Sequence, residues 1–320
     1  MNKHLGLSGG ARGPGAAGWA WACVAWLALA PVLGAAEVAP RALALPGIEN
    51  AYQVSERILA GGQPEGDEAF AALRERGVRT LVSVDGARPD VERAARFGLR
   101  YIHLPHGYDG IPTNTVLSLI RAAEVSEGSL FLHCHHGRHR GPAAAAVLCQ
   151  ATAGWTTNEA VRWMKRAGTA PDYAGLYRVN TAFQAPARTL LDGVPTNFPS
   201  VARVSGLVEG MVELDRRWEH LKAAEKAGWR VPPDHPDLVP AREALLLHEA
   251  YRELRHSGEV RRHGPDFVRE LAEAADTAAE LHALLKEHPL PLSGPLIPQA
   301  AALFRAAGRQ CAACHQQHRN

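Results

Sequence analysis

The 320-residue sequence has little excess charge of either sign: 35 Lys and Arg stand against 33 Asp and Glu, a net charge of +2. Two of the positives, Lys3 and Arg12, fall in an N-terminal segment expected to be removed, which leaves the rest near neutral. A whole-molecule field that would draw the chain to nucleic acid is therefore absent, and no nucleic-acid partner is expected. Internal repeats and low-complexity runs are missing as well. Cysteine is scarce, five residues in all, so position says more than number. Hydrophobic residues at 46% and charged residues at 21% exclude a largely disordered chain, a collagen and a multi-span membrane protein. What the chain does have is length for about two domains and a high count of 16 histidines.

From Gly13 to Ala36 there is no charged residue; Lys3 and Arg12 precede the stretch and Gly34-Ala35-Ala36 closes it. That is the layout of a cleaved secretory signal peptide over residues 1–36, and it predicts a periplasmic protein. An uncleaved anchor facing the periplasm is the alternative, since an uncharged run of this length can span a bilayer. Pro14, Pro31 and several glycines weaken that reading.

Residues 50–190 alternate short β-rich runs with helical patterns. Strands are predicted at 57–60, 80–84, 101–104 and 130–133, and helices at 65–76, 89–97, 113–123, 141–152 and 156–168. Thr156 and Glu159 have the spacing of a capping box. Such alternation implies an α/β domain with a mostly parallel sheet covered on both faces. Residues 191–200 have the Gly, Pro, Asn and Ser content of a linker. Beyond Val201 no strand run occurs, and four amphipathic helical stretches predict a second domain over 201–320, an all-α antiparallel four-helix bundle.

The fourth predicted strand runs into His133-Cys134-His135-His136-Gly137-Arg138-His139-Arg140-Gly141-Pro142. A cysteine leaves a buried strand, five residues form a loop, and an arginine opens a helix. The backbone N–H groups of such a loop and the helix N-terminus behind it make an anion cradle. That field favours a thiolate, a good nucleophile toward phosphorus. Arg140 is placed for its planar fork to hold two phosphoryl oxygens, and Gly137 permits the tight turn. His135, His136, Gly137, Arg138, His139 and Gly141 are the predicted phosphate-binding residues, with the histidines and Arg138 on the rim. Metal binding by the histidines around Cys134 is the less favoured reading, because a cradle loop spreads alternate side chains outward. Cys149, among Ala and Val, reads as an inert core thiol.

With His-Cys, five residues, then Arg, the segment resembles the cysteine-dependent protein tyrosine and dual-specificity phosphatases over about residues 50–188. The Gly-Arg-His-Arg run and Leu59-Ala-Gly-Gly-Gln-Pro64 look most like the plant and fungal atypical dual-specificity group, some of whose members act on inositol pyrophosphates. The resemblance implies hydrolysis of a phosphorylated small molecule or protein through a phospho-cysteine, with no metal needed. It also implies an aspartic acid that protonates the leaving oxygen; Asp109 is the first choice and Asp85 the second. One position departs from the pattern: the usual Ser or Thr after the arginine, which assists breakdown of the intermediate, is Gly141.

The chain closes on Cys311-Ala-Ala-Cys314-His315-Gln-Gln-His318-Arg319-Asn320. Cys-x-x-Cys-His is the attachment signature of c-type haem. Two cysteines one helical turn apart meet two vinyl groups, and the adjacent histidine faces the iron. A Zn site would want a second ligand pair at suitable spacing, and a thioredoxin-like disulfide a βαβ setting. A haem site at the end of a helical bundle resembles the cytochrome c prime and c-556 group. That implies Cys311 and Cys314 as thioether links, His315 as proximal iron ligand, Met211 as a sixth ligand in the c-556 manner, and pairing of two chains through the helices. Core packing is the competing reading of Met211. A redox partner or a small gas would be the partner of such a haem. Together these features predict an exported phosphatase fused to a haem c domain, with a cytochrome carrying a non-catalytic phosphate-binding domain as the alternative.

Overall fold

Four short parallel strands set the frame. The computed structural model describes Gly10 and residues 39–288 and 292–318. Apart from Gly10, the predicted signal peptide lies outside the described residues, as does Arg319. Val38–Asn320 forms one compact unit. Its elements run β1 (Arg41–Ala42), β2 (Tyr52–Gln53), β3 (Ile58–Gly61), α1 (Gly66–Glu75), β4 (Val78–Ser83), α2 (Val91–Arg96), β5 (Arg100–His103), α3 (Thr113–Val125), β6 (Ser129–His133), α4 (Arg140–Thr152), α5 (Thr157–Ala167), α6 (Ala174–Thr181) and α7 (Arg188–Asp192). After a segment without helix or strand come α8 (Gly206–Lys226), α9 (Pro240–Arg255), α10 (Gly258–Arg262), α11 (Pro265–Glu287) and α12 (Leu296–His318).

The sheet order is β1-β2-β3-β6-β4-β5. Strands β3, β6, β4 and β5 are parallel neighbours, while β1 and β2 add an antiparallel edge. Near-continuous apolar runs such as Leu130-Phe-Leu132 suit strands buried on both faces. Helices α1 and α2 cover one face through Phe70, Leu73 and Ala94. Helices α3 to α6 cover the other through Leu119, Val147, Trp163 and Leu176. Helix α4 is the innermost: every residue from Gly141 to Cys149 is buried, and its Ala143–Ala146 run lets backbones approach closely. The four predicted strand spans fall within a residue or two of β3, β4, β5 and β6, but β1, β2, α6, α7 and α10 carry too few residues to announce a period.

In the helical region α9 lies along α8 and α11, and α11 along α12. Its core gathers Leu221, Trp229, Leu247, Leu271, Leu281 and Phe304. Three histidines tie these helices together. His248 Nδ1 meets the Ala275 carbonyl at 2.8 Å and His282 Nδ1 the Ala241 carbonyl at 2.8 Å, both between α9 and α11. His220 and Arg217 share the buried Glu243 carboxylate at 2.8 and 3.1 Å. Polar side chains at a helix–helix seam bond across it when a carbonyl is in reach, a pairing that periodicity does not reveal. Among the described residues no helix is long and apolar enough to cross a membrane.

Candidate active site

The strand register brings the site together. Gly61 and Ser83 both pair with His133, so the residues that follow β3, β4 and β6 leave the sheet at one level. Strand β6 lies between β3 and β4 although it follows both in sequence, which makes this edge a topological switch point, the usual ligand crevice of a parallel sheet.

The loop from Cys134 to His139 bridges β6 and the N-terminus of α4, and its carbonyls are pinned outward. Val84 N–H donates to the His133 carbonyl at 3.0 Å and Gln63 N–H to that of His135 at 2.8 Å. Asn50 Nδ2 donates to the Gly137 carbonyl and, at the end of α5, to that of Ala167, each at 2.8 Å. Thr169 Oγ1 donates to the Arg138 carbonyl at 2.8 Å. In a trans peptide C=O and N–H point opposite ways, so the N–H groups of residues 136, 138 and 139 are turned to the inside. Gly137 has φ +67°, and an added Cβ would lie 2.3 Å from Gly61 C, so only glycine fits this turn.

Cys134 is buried at the floor of the cradle. Arg140 opens α4 with its guanidinium 4.6 Å from the Tyr108 ring centroid, a cation–π contact. Its Nη2 donates to Asp85 Oδ2 at 2.5 Å, and the same oxygen accepts the His135 N–H at 2.8 Å. Burial alone would raise the Asp85 pKa, but the Arg140 charge and the N–H groups of Ala87 and His135 outweigh it and hold the carboxylate below its ordinary 3.8. Asp85, the second choice for the acid, is thus an ionised tether that orients Arg140 and one cradle N–H. Asp109 is exposed on the loop after β5, next to Tyr108.

The other predicted residues divide. His135 and His136 are half-buried at the rim and Arg138 is exposed there. His139 is tucked toward α6, its ring 4.4 Å from that of Tyr173, with Ala170 N–H donating to Nδ1 at 3.4 Å. His133 belongs to the sheet: Tyr101 Oη lies 2.9 Å from its Nε2, and burial pushes its pKa down to about 4. Gly141 lies against the nucleophile, an added Cβ meeting Cys134 N at 3.2 Å and Sγ at 3.5 Å. Cys149 is buried in α4 with its pKa pushed up to about 12 by burial, an inert thiol. Asn50, Tyr101, Tyr108 and Thr169 escaped the sequence reading, because each reaches the loop across a long stretch of chain.

The second constellation lies on α12. Cys311 and Cys314 are unpaired thiols one turn apart. Tyr251 Oη is 3.3 Å from Cys311 Sγ. Burial, then the Glu270 carboxylate, pushes the Cys314 pKa up to about 12. Ligand atoms of Glu270, Cys314 and His318 lie within 4.8 Å of one another. His315 is half-buried, and Met211 packs partly buried on the helical core.

A nucleophilic cysteine and an arginine on one anion cradle, at the carboxyl ends of parallel strands, define a cysteine-dependent phosphatase domain. The dual-specificity protein phosphatase TpbA of Pseudomonas aeruginosa (strain UCBPP-PA14) is 30% identical over 152 residues, covering 45% of this chain and 68% of that protein. By that measure the chain belongs, through its N-terminal region, to the family of TpbA-type dual-specificity phosphatases. A beta-lactamase hydrolase-like protein of Xylella fastidiosa (strain Temecula1) is 34% identical over 93 residues, 26% of this chain and 21% of that one. The crystal structure of P. aeruginosa TpbA matches at 24% identity and a TM-score of 0.40, over 48% of this chain and 92% of that one. The core catalytic domain of the S. cerevisiae PP-IP phosphatase SIW14, in complex with citrate, matches at 15% identity and a TM-score of 0.40, over 44% and 89%. No protein-family model matches the chain.

Proposed function

We propose that the protein hydrolyses phosphate monoesters through a phospho-cysteine, and that its helical region is an antiparallel four-helix bundle carrying a covalently attached haem c. The observation that carries the first part is the cradle: outward-pinned carbonyls, inward N–H groups, and Arg140 held by Asp85 beside the floor cysteine. Cys134 Sγ attacks phosphorus while the bond to the leaving oxygen breaks, and Asp109 gives that oxygen its proton. Arg140 and the cradle N–H groups hold the charge that develops on the phosphoryl oxygens. Water activated by the Asp109 carboxylate then attacks phosphorus, the P–S bond breaks, and inorganic phosphate leaves with the thiolate restored. No metal ion enters this scheme. His136 and Arg138 on the rim suit a polyanionic substrate, a phosphorylated small molecule or protein.

The donor set on α12 fits haem c: two unpaired thiols at i and i+3 and an adjacent imidazole. Cys311 and Cys314 would form the thioether links and His315 would be the proximal ligand, with Met211 the candidate for the opposite face. When bound, the group supplies electron transfer or binding of a small gas. Covalent attachment takes place outside the cytosol and therefore goes with export, periplasmic residence and removal of residues 1–36. Two chains would pair through their helices.

Two measurements test the reading. Hydrolysis of p-nitrophenyl phosphate by the wild type should fall to background in Cys134→Ser; equal rates in both would end the phosphatase assignment. Expression with haem-maturation factors should give a covalent haem spectrum that Cys311→Ser/Cys314→Ser lacks, and a colourless wild type would end the haem assignment. The spectrum also discriminates against a zinc ion held by Cys314, Glu270 and His318.

A further inference from the structure

The catalytic loop and α8 meet at a group of ligand atoms that take no part in the proposed bond-making and proton-transfer steps of Cys134, Arg140 and Asp109. His135 and His136 leave the floor of the cradle in succession, their rings perpendicular and 4.3 Å apart. His135 Nε2 lies 3.6 Å from Asp215 Oδ2 in the middle of α8. His136 Nδ1 lies 3.5 Å from Glu49 Oε2 in the turn between β1 and β2. The ligand atoms of His135, His136 and Asp215 all lie within 4.8 Å of one another. Ligands at about 2.05 Å on a tetrahedral ion stand roughly 3.3 Å apart, so both close pairs are near that spacing already. Glu49 stands outside that group, beside His136 alone, and would have to swing toward the other two to complete it. The His135 backbone is held at both its N–H, by Asp85, and its carbonyl, by Gln63, and Asp215 is carried by a 21-residue helix.

The sequence alone weighs against metal here, because a cradle loop cannot converge its own side chains on one ion. The fold removes that objection by supplying the missing ligands from two other segments. We propose that His135, His136 and Asp215, with Glu49 as fourth ligand, bind one divalent transition ion of the zinc class. Two imidazoles and two carboxylates form a borderline donor set that suits zinc and neutralises its charge. All four side chains reach solvent, at 34%, 43%, 46% and 74% exposure, so the ion has an entry path. Filled, the site clamps α8 to the catalytic loop.

The test uses the whole protein as purified after export, whether or not it carries haem, at matched buffered free zinc, with bound metal counted by mass spectrometry after equilibrium dialysis. The wild type should hold one more zinc per chain than Asp215→Ala, whose affinity at this site should fall roughly 100-fold. His136→Gln serves as the second variant should the first misfold, and Glu49→Gln should weaken binding by a smaller factor. Zinc should raise the melting temperature of the wild type and leave that of Asp215→Ala unmoved. Equal stoichiometry and affinity in wild type and variants would overturn the site. Zinc inhibition of hydrolysis that persists unchanged in Asp215→Ala, without a stoichiometric difference, would assign the ion to the Cys134 thiol and would overturn it equally. The stoichiometry and the melting temperature do not depend on whether the protein turns over phosphate, so they test the ion site separately from the phosphatase reading.

Discussion

At the scale of single residues, the position after Arg140 has the clearest kinetic consequence. An added Cβ at Gly141 lies in ordinary contact with Cys134 Sγ at 3.5 Å and only tightly against Cys134 N at 3.2 Å, so a serine fits with a shift of a few tenths of an ångström. Its hydroxyl would stand beside the sulfur, where it can assist departure of the thiolate from phosphorus. Wild-type protein mixed with p-nitrophenyl phosphate should show a burst of about one nitrophenol per active site followed by slow turnover. Gly141→Ser should shrink the burst and raise the steady rate by about tenfold or more, the size of effect expected for proton-transfer assistance. A rate unchanged by the serine would place the slow step elsewhere. The cysteine, the arginine and this glycine were all legible because the loop is contiguous. Asp85 was legible only as a carboxylate at a strand end. Its use as a tether follows from the pairing of Ser83 with His133, which no local pattern announces.

Among the elements, α5 does more for the site than its distance in sequence suggests. Thr156 accepts the Glu159 N–H while the Glu159 carboxylate accepts the Thr156 N–H, so the predicted capping box is present. Trp163 Nε1, on the same helix, donates to the Pro142 carbonyl in the first turn of α4 at 3.0 Å. The last turn of α5 shares Asn50 with the cradle through Ala167. Loss of the cap should therefore destabilise the helix by about 1 kcal/mol and loosen the cradle in step. Thr156→Ala should lower the denaturation midpoint and also weaken protection of the fold by added phosphate. A midpoint shift with full protection would show that the helix end and the cradle are independent. The cap was readable because both partners lie within one turn. The indole bond to Pro142 was not, since it spans two helices and a tryptophan on an apolar face looks the same whether or not its N–H is used.

Over the whole molecule, buried histidines link stability to pH. His106 and His133 have pKa values pushed down to about 4, by burial above all. His103 is lowered too, again by burial, with the Asp85 carbonyl opposing. Each is lower folded than unfolded, so unfolding takes up protons below the unfolded value of about 6.5. Their contribution is complete above that pH and drains as pH falls below 6.5, down to about 4 for His106 and His133, by about 1.4 kcal/mol per unit for each group fully in its window. The lowered Asp85 adds a second loss below 3.8. Urea unfolding at pH 7 and pH 5 should show markedly less stability at pH 5, and equal midpoints would contradict the assignment of neutral, buried imidazoles. His103 is the group to watch. Its Nε2 lies 2.7 Å from the Asp85 carbonyl, and its Nδ1 accepts the Ala202 N–H at 3.0 Å from the segment leading to α8. A proton on Nδ1 would set two donors face to face at that joint. That the sequence predicts two domains says nothing of this seam, because its parts lie in β5, the connecting segment and the first turn of α8, where Val208 fills the space over Gly86.

The unbroken burial of α4 from Gly141 to Cys149 has a last consequence. Beneath the nucleophile there is no room to adjust anything, so preferences for one phosphorylated compound over another cannot be written into the scaffold. They have to be written around the mouth, by Tyr108, Asp109, His136 and Arg138, and by whatever α8 presents next to them. A relative with the same floor and a different helical neighbour would inherit the reaction and choose its own clientele.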